Sequence, residues 1–190
     1  SRMTPGTWDG RIVIAYQQGA LLLLGPDSNS PVEATISTSA VQPVALGVTV
    51  LKDRAFFSGR KGTVVCADLN MKRTLWEKKI SENASLFTDV QAGPAGAYVY
   101  SKGTIYGLSM INGSELFSPV TGVTCPPLYH DNKIYYGTPN QLVIRNAASG
   151  SVERVIDLGS KVRISARPVM TNSGKLLLGT EDGTVFVINP

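Results

Sequence analysis

Lys175-Leu-Leu-Leu-Gly179 closes a series of near-copies, preceded by Arg11-Ile-Val-Ile-Ala15, Arg54-Ala-Phe-Phe-Ser58 and Lys133-Ile-Tyr-Tyr-Gly137, with a weaker member at Ala97-Tyr-Val-Tyr-Ser101. The copies recur at a spacing of about forty residues, and a repeat of that length with strand-like content means stacked β-units. Working outward from the last copy, Leu176 to Leu178 and Val185 to Ile188 are apolar or β-branched runs, and Gly179-Thr-Glu-Asp-Gly183 between them supplies turn chemistry, so the stretch reads as a hairpin. Position 183 suits a residue with positive φ, which glycine adopts without strain. The equivalent place holds Gly19, Gly62, Gly103 and Asn140.

A second turn follows each hairpin, at Ser28-Asn29, Asn70 to Lys72, Asn112-Gly113 and Ser149-Gly150. Prolines 5, 43, 94, 127 and 168 precede the hairpins, as expected of residues that open an innermost strand, because proline cannot donate to a ladder. No stretch sustains apolar residues at helical spacing, and 11 prolines with 19 glycines interrupt the chain throughout. The expected fold class is therefore all-β, with short strands.

The chain has 190 residues, of which 43% are apolar, enough for one compact all-β body. Its 18 basic against 14 acidic residues give a net charge of +4. The densest basic sites, Lys52-Asp-Arg54, Arg60-Lys61, Lys72-Arg73 and Lys78-Lys79, are each broken by apolar or acidic neighbours, which argues against a nucleic-acid partner. Cys66 and Cys125 are far apart and accompany a single histidine, His130, too few ligands for a structural zinc site, so a buried free thiol is expected at Cys66 and no metal anywhere. The longest apolar run, Ala20 to Leu24, is far below the roughly 18 residues a spanning helix needs, and no direct membrane insertion is expected. Ser1-Arg2-Met3 reads as a cloning remnant ahead of a chain that has lost its native N-terminus and any targeting signal.

Three further stretches resemble a known family. Cys66-Ala-Asp68-Leu-Asn-Met-Lys-Arg73-Thr-Leu-Trp76 is similar to the phrase A-x-D-x-x-T-G-K-x-x-W that follows the third strand in pyrroloquinoline-quinone-type β-propeller repeats. Gly107-Leu-Ser109-Met-Ile-Asn-Gly113-Ser-Glu-Leu-Phe117 keeps the glycine and puts phenylalanine at the tryptophan position, and Ile144-Arg-Asn146-Ala-Ala-Ser-Gly150-Ser-Val-Glu-Arg154 keeps the turn without the aromatic. The resemblance implies a β-propeller of four-stranded antiparallel blades, with blades near residues 3–37, 38–81, 86–121, 122–158 and 162–190: four complete blades plus a three-stranded fifth, in an incomplete ring or part of a larger one. It gives Trp76 and Phe117 a structural docking role between adjacent blades.

The enzymatic members of that family are quinoprotein dehydrogenases, with an aspartate base, a carboxylate-bound metal, a tryptophan floor under the cofactor and often two adjacent cysteines. This chain has no adjacent cysteine pair. Trp76 is committed to docking, Trp8 lies beside a turn, and Asp68, Glu77, Glu115 and Asp182 fall at turns or outer strands. His130, the only histidine for a hydrolytic triad, lies in a turn. No phosphate loop occurs, and the sequons at Asn83-Ala-Ser85 and Asn112-Gly-Ser114 are chance matches. No catalytic residue, metal or cofactor is therefore assigned, and the chain is not expected to be an enzyme.

The non-enzymatic members include bacterial envelope proteins that hold partners during outer-membrane protein assembly. The resemblance thus implies a non-catalytic scaffold binding other proteins in the periplasm or another extracytoplasmic space, with self-association through open blade edges as a second possibility. Topology puts recognition on the hairpin turns and the loops joining outer to inner strands, at Gln17, Gln18, Arg60, Lys61, Lys102, Asn140 and Glu181. Two alternatives stay open: a fragment of a quinoprotein dehydrogenase, and a glycan or small-ligand module stacking sugars on Tyr98, Tyr100, Tyr106, Tyr135 and Tyr136.

Overall fold

Residues 4–16, 19–27, 29, 31–38, 47–59, 61–81, 86 and 88–190 are described by the computed structural model. Among them every regular element is a β-strand. The first sheet runs in the order β1 (Gly6–Trp8), β2 (Arg11–Tyr16), β3 (Ala20–Leu24) and β4 (Val32–Ser37). The second repeats that order with β5 (Thr49–Leu51), β6 (Arg54–Ser58), β7 (Thr63–Asp68) and β8 (Arg73–Lys79). The third repeat contains β9 (Gln91–Ala92), β10 (Gly96–Ser101) and β11 (Thr104–Ser109), of which β10 and β11 form its hairpin. The fourth sheet is β12 (Leu128–His130), β13 (Lys133–Thr138), β14 (Gln141–Asn146) and β15 (Val152–Asp157), and the fifth is β16 (Val169–Met170), β17 (Leu176–Gly179) and β18 (Val185–Ile188).

Within each sheet, neighbours in sequence are neighbours in space and antiparallel, so short turns suffice to connect them. The hairpin glycines adopt the backbone their turns require: φ is 79° at Gly19, 90° at Gly62, 78° at Gly103 and 85° at Gly183, and Asn140 holds the same place at 66°. Leu23/Leu24, Cys66/Ala67 and Ile144/Arg145 carry a register shift at the same point of the three four-stranded sheets, just before the outer turn. In each case the extra residue, Glu33, Leu75 or Glu153, lies on the outer strand, and a bulge there bends that strand and sharpens the local twist.

The recurrent basic residue opening the second strand has a local explanation. Arg11 Nε donates to Glu33 on β4 at 2.6 Å, and Lys133 Nζ lies 3.4 Å from Glu153 on β15. Each is an exposed cross-sheet pair that fixes register more than it adds stability. In the second sheet the matching outer-strand residue is Leu75, and Arg54 turns elsewhere.

Two of the sequence expectations are refined. The outer strand of the third repeat is reduced to two isolated bridges, Leu108 to Glu115 and Ile105 to Val120, on either side of Pro119, which has no N–H to donate. Pro5, Pro127 and Pro168 directly precede β1, β12 and β16, but Pro94 follows β9 and sits in the bend before β10, while Pro43 lies outside the described residues.

The chain divides into two compact units, Ser1–Ala92 with Met110–Ser114, and Gly93–Ser109 with Glu115–Pro190. In the first, alternate residues Val13, Ala15, Leu21, Leu23 and Ile36 of one sheet bury against Ala55, Phe57, Val65 and Ala67 of the next. In the second, Ile105, Val123, Tyr136 and Val143 form one core layer, and Tyr135, Leu142, Ile144, Ile164, Leu176 and Leu178 form another.

Candidate functional site

The candidate recognition residues are set by the turn between the second and third strands of each sheet. Lys61 occupies it after β6, Lys102 after β10, Asn140 after β13 and Glu181 after β17; all four are exposed. Gln17, Gln18 and Arg60 lie outside the described residues. In the second unit these turns are tied down by the segments that connect one sheet to the next. Val123 N–H donates to the Gly103 carbonyl at 3.0 Å and Thr124 N–H to that of Gly137 at 2.9 Å. The segment after β15 does the same, with Asn140 N–H donating to Val162 at 2.8 Å and Glu181 N–H to Arg163 at 3.0 Å. Satisfying the turn backbone in this way leaves the side chains as the outward-facing groups on a rigid support.

Sequence reasoning missed Arg163, whose guanidinium Nε lies 3.2 Å from Glu181 with both side chains more than half exposed. Its position in a connecting segment carries no repeat signal. The turn at Glu181 is fixed from inside by Asp182, which accepts from the Thr180 hydroxyl at 2.5 Å and the Thr184 N–H at 3.0 Å. The Thr180 hydroxyl foremost, then the Thr184 N–H, holds the Asp182 carboxyl below its usual range.

The docking aromatics are built differently. Trp76 on β8 is nearly buried at 7% exposure, its ring 6.2 Å from Phe56. It presses on Gly113, where a Cβ would sit 2.7 Å from a ring carbon. Its Nε1–H donates to the Met110 carbonyl at 3.3 Å, and the Arg54 guanidinium donates to that same oxygen at 2.5 Å. The turn of 110–114 is thus held by a ring from above and two donors at one carbonyl. Phe117 repeats the ring contact in the second unit: a Cβ on Gly150 would meet Phe117 at 2.5 Å, and the ring also covers Gly107.

Among the described residues, the side chains that a quinone site would draw on are engaged in other contacts. Trp76 is covered by Gly113, and Trp8 lies under Arg11 at 5.7 Å from the ring centroid, with Nε1–H donating to Asp53. Asp68 caps the turn by accepting the Met71 N–H, and Asp182 is engaged as described. Among the described residues no three His, Cys, Asp or Glu side chains converge. His130 is exposed at the end of β12. Of the tyrosines considered for sugar stacking, Tyr98, Tyr135 and Tyr136 are buried in the core.

Cys66 and Cys125 are both buried free thiols. Burial pushes each up to about 11, partly offset at Cys66 by Arg54 and at Cys125 by the Gly137 N–H. Ellman's reagent at pH 8 should label neither in the folded chain and both in urea, since the thiolate is the nucleophile. Below pH 9 both states keep the proton, whereas between pH 9 and 11 the unfolded chain releases it first, so each thiol progressively removes stability as the pH rises through that window.

The family described as outer membrane protein assembly factor BamB matches residues 33–190. The chain belongs to the BamB family. BamB from Moraxella catarrhalis has a similar structure, with a TM-score of 0.78 at 14% identity, over 98% of this chain and 57% of that one. The computationally designed protein Ika8 matches with a TM-score of 0.74 at 16% identity over 97% of this chain and 57% of its own, and designed Ika4 with 0.59 at 17% over 80% and 95%. At such identities the likeness carries the fold alone. No curated protein matches this BamB-family chain in sequence. With its meandering antiparallel sheets it is an all-β propeller of the quinone-repeat type, and it spans 57% of the Moraxella catarrhalis structure.

Proposed function

We propose that this BamB-family chain is a non-catalytic scaffold that binds protein partners in outer-membrane protein assembly on the periplasmic side of the envelope, using the turns between the second and third strands of its sheets. One observation carries this reading. The turns bearing Lys102, Asn140 and Glu181 sit at equivalent points of successive sheets, with backbone groups consumed by the connecting segments and side chains exposed. Binding to a surface already ordered avoids the entropy of fixing loops at the moment of contact. The mixture of Lys102, Asn140, Glu181 and Arg163 suits a polar interface rim that discriminates partners by charge. The residue inventory supports the non-enzymatic reading over the quinoprotein one, because both tryptophans are occupied by protein contacts.

Photo-crosslinking side chains installed at positions 61, 102, 140 and 181 test the reading, with controls at 72, 131 and 173 in turns between other strands. Crosslinks to envelope assembly proteins are expected from the first set and not from the controls. Equal yields from both sets would remove the hairpin turns as the binding surface.

A further inference from the structure

We infer that Asn112 is a site of spontaneous backbone modification, gated by the contact between Trp76 and Gly113. Asn112-Gly113 is the sole Asn-Gly pair in the sequence. Glycine after asparagine leaves the main-chain nitrogen uncrowded, so that nitrogen can attack the side-chain amide carbon. In this step the Gly113 nitrogen bonds to Asn112 Cγ, the Cγ–Nδ2 bond breaks, and Nδ2 leaves as ammonia with the proton from the Gly113 N–H. Water then opens the five-membered imide at either carbonyl. Cleavage of the new Cγ–N bond gives aspartate, and cleavage of the original main-chain bond gives isoaspartate, in which the chain runs through Cγ. No electron transfer is involved.

Two features make this turn reactive and one restrains it. Asn112 is exposed to water, and its Oδ1 already accepts the Ser114 N–H at 3.1 Å, which polarises the carbonyl and favours the oxyanion formed on attack. Ring closure requires the Gly113 nitrogen to swing onto Cγ, and Gly113 cannot move while it is pinned. It is buried at φ 71° with no room for even a methyl group against the Trp76 ring, and the Met110 carbonyl of the same turn is fixed by both Trp76 and Arg54. The chemistry therefore proceeds from the opened turn, at a rate that follows the population of that state. The isoaspartyl product has one extra main-chain methylene, which displaces Gly113 and prevents the turn from closing under the ring.

The 190-residue chain is incubated at pH 8 and 37 °C, and peptide mass spectrometry reads ammonia loss and isoaspartate at position 112, folded and in urea. The folded chain should react at least about tenfold more slowly than the unfolded one, a tenfold change corresponding to 1.4 kcal/mol of closure. Arg54→Met, which keeps the ring contact, and Trp76→Phe, which loses one donor, should each raise the folded-state rate while circular dichroism stays native. The isoaspartyl fraction should melt at lower temperature than unmodified protein. Equal rates in folded and unfolded chains, or folded variants that react no faster than the parent, would overturn the gating. Absence of product in urea would overturn the site itself.

Discussion

Replacing Trp76 by alanine is expected to destabilise the chain by about 3–5 kcal/mol, the range for removing a large buried aromatic. The ring is buried against Phe56 and Gly113, and its indole N–H is one of two donors on the Met110 carbonyl. Alanine empties that space and leaves the carbonyl to Arg54 alone. For a chain of this size each kcal/mol moves the melting temperature by about 2–4 °C, so the loss is large on a calorimeter. Trp76→Phe, which retains most of the ring volume, should fall between the two. A midpoint within a degree of the parent would show that the 110–114 turn does not depend on this ring.

The second large effect is expected at Tyr98, which is fully buried on β10. Its ring is stacked on Tyr129 at 5.6 Å and on Phe117 at 6.5 Å, and its hydroxyl donates to the Ala147 carbonyl at 2.9 Å. That contact joins the hairpin of the third repeat to the outer turn of the fourth sheet. Tyr98→Ala should cost about 3–5 kcal/mol by loss of the stack and the cavity left behind. Tyr98→Phe keeps the stack and should cost about 1–3 kcal/mol, because Ala147 then presents a buried acceptor without its donor. Denaturant titration separates the cases: the midpoint should fall in that order with an unchanged slope. If phenylalanine proved as costly as alanine, the stack would contribute nothing and the hydroxyl would carry the whole effect. Burial, with a smaller contribution from Tyr129, also raises the Tyr98 phenol above its ordinary range, so alkali destabilises the folded state here too.

The hairpins were legible because their turns impose a backbone that few residues tolerate. Gly62, Gly103, Asn140 and Gly183 announce positive φ in the sequence, and the structure places them there. The Asp68-to-Trp76 phrase was legible for the same reason, its spacing being set by one turn and one bulge. Long-range partners were not legible. Arg54 looks like Arg11 and Lys133 in sequence, but Leu75 stands where they find Glu33 and Glu153, and the guanidinium turns instead to Met110, 56 residues away. The third repeat's outer strand was also misjudged, because Pro119 interrupts its ladder while Phe117 folds its ring over Gly107. The candidate site was legible only as positions. Which backbone groups the connecting segments consume depends on how successive sheets meet, a relation no local pattern encodes.

The seat of Trp76 lies in residues that the repeat pattern would assign to its successor: Met110–Ser114 groups with Ser1–Ala92, not with the strands beside it in sequence. Anyone dissecting this polypeptide into expressible pieces therefore faces an offset between the genetic period and the mechanical one. A fragment stopped at residue 92 discards the floor on which its own indole rests, whereas one carried through residue 114 keeps it. The same cut parts Tyr98 from Phe117, Tyr129 and Ala147, so neighbouring modules interlock across any single splice point in this stretch.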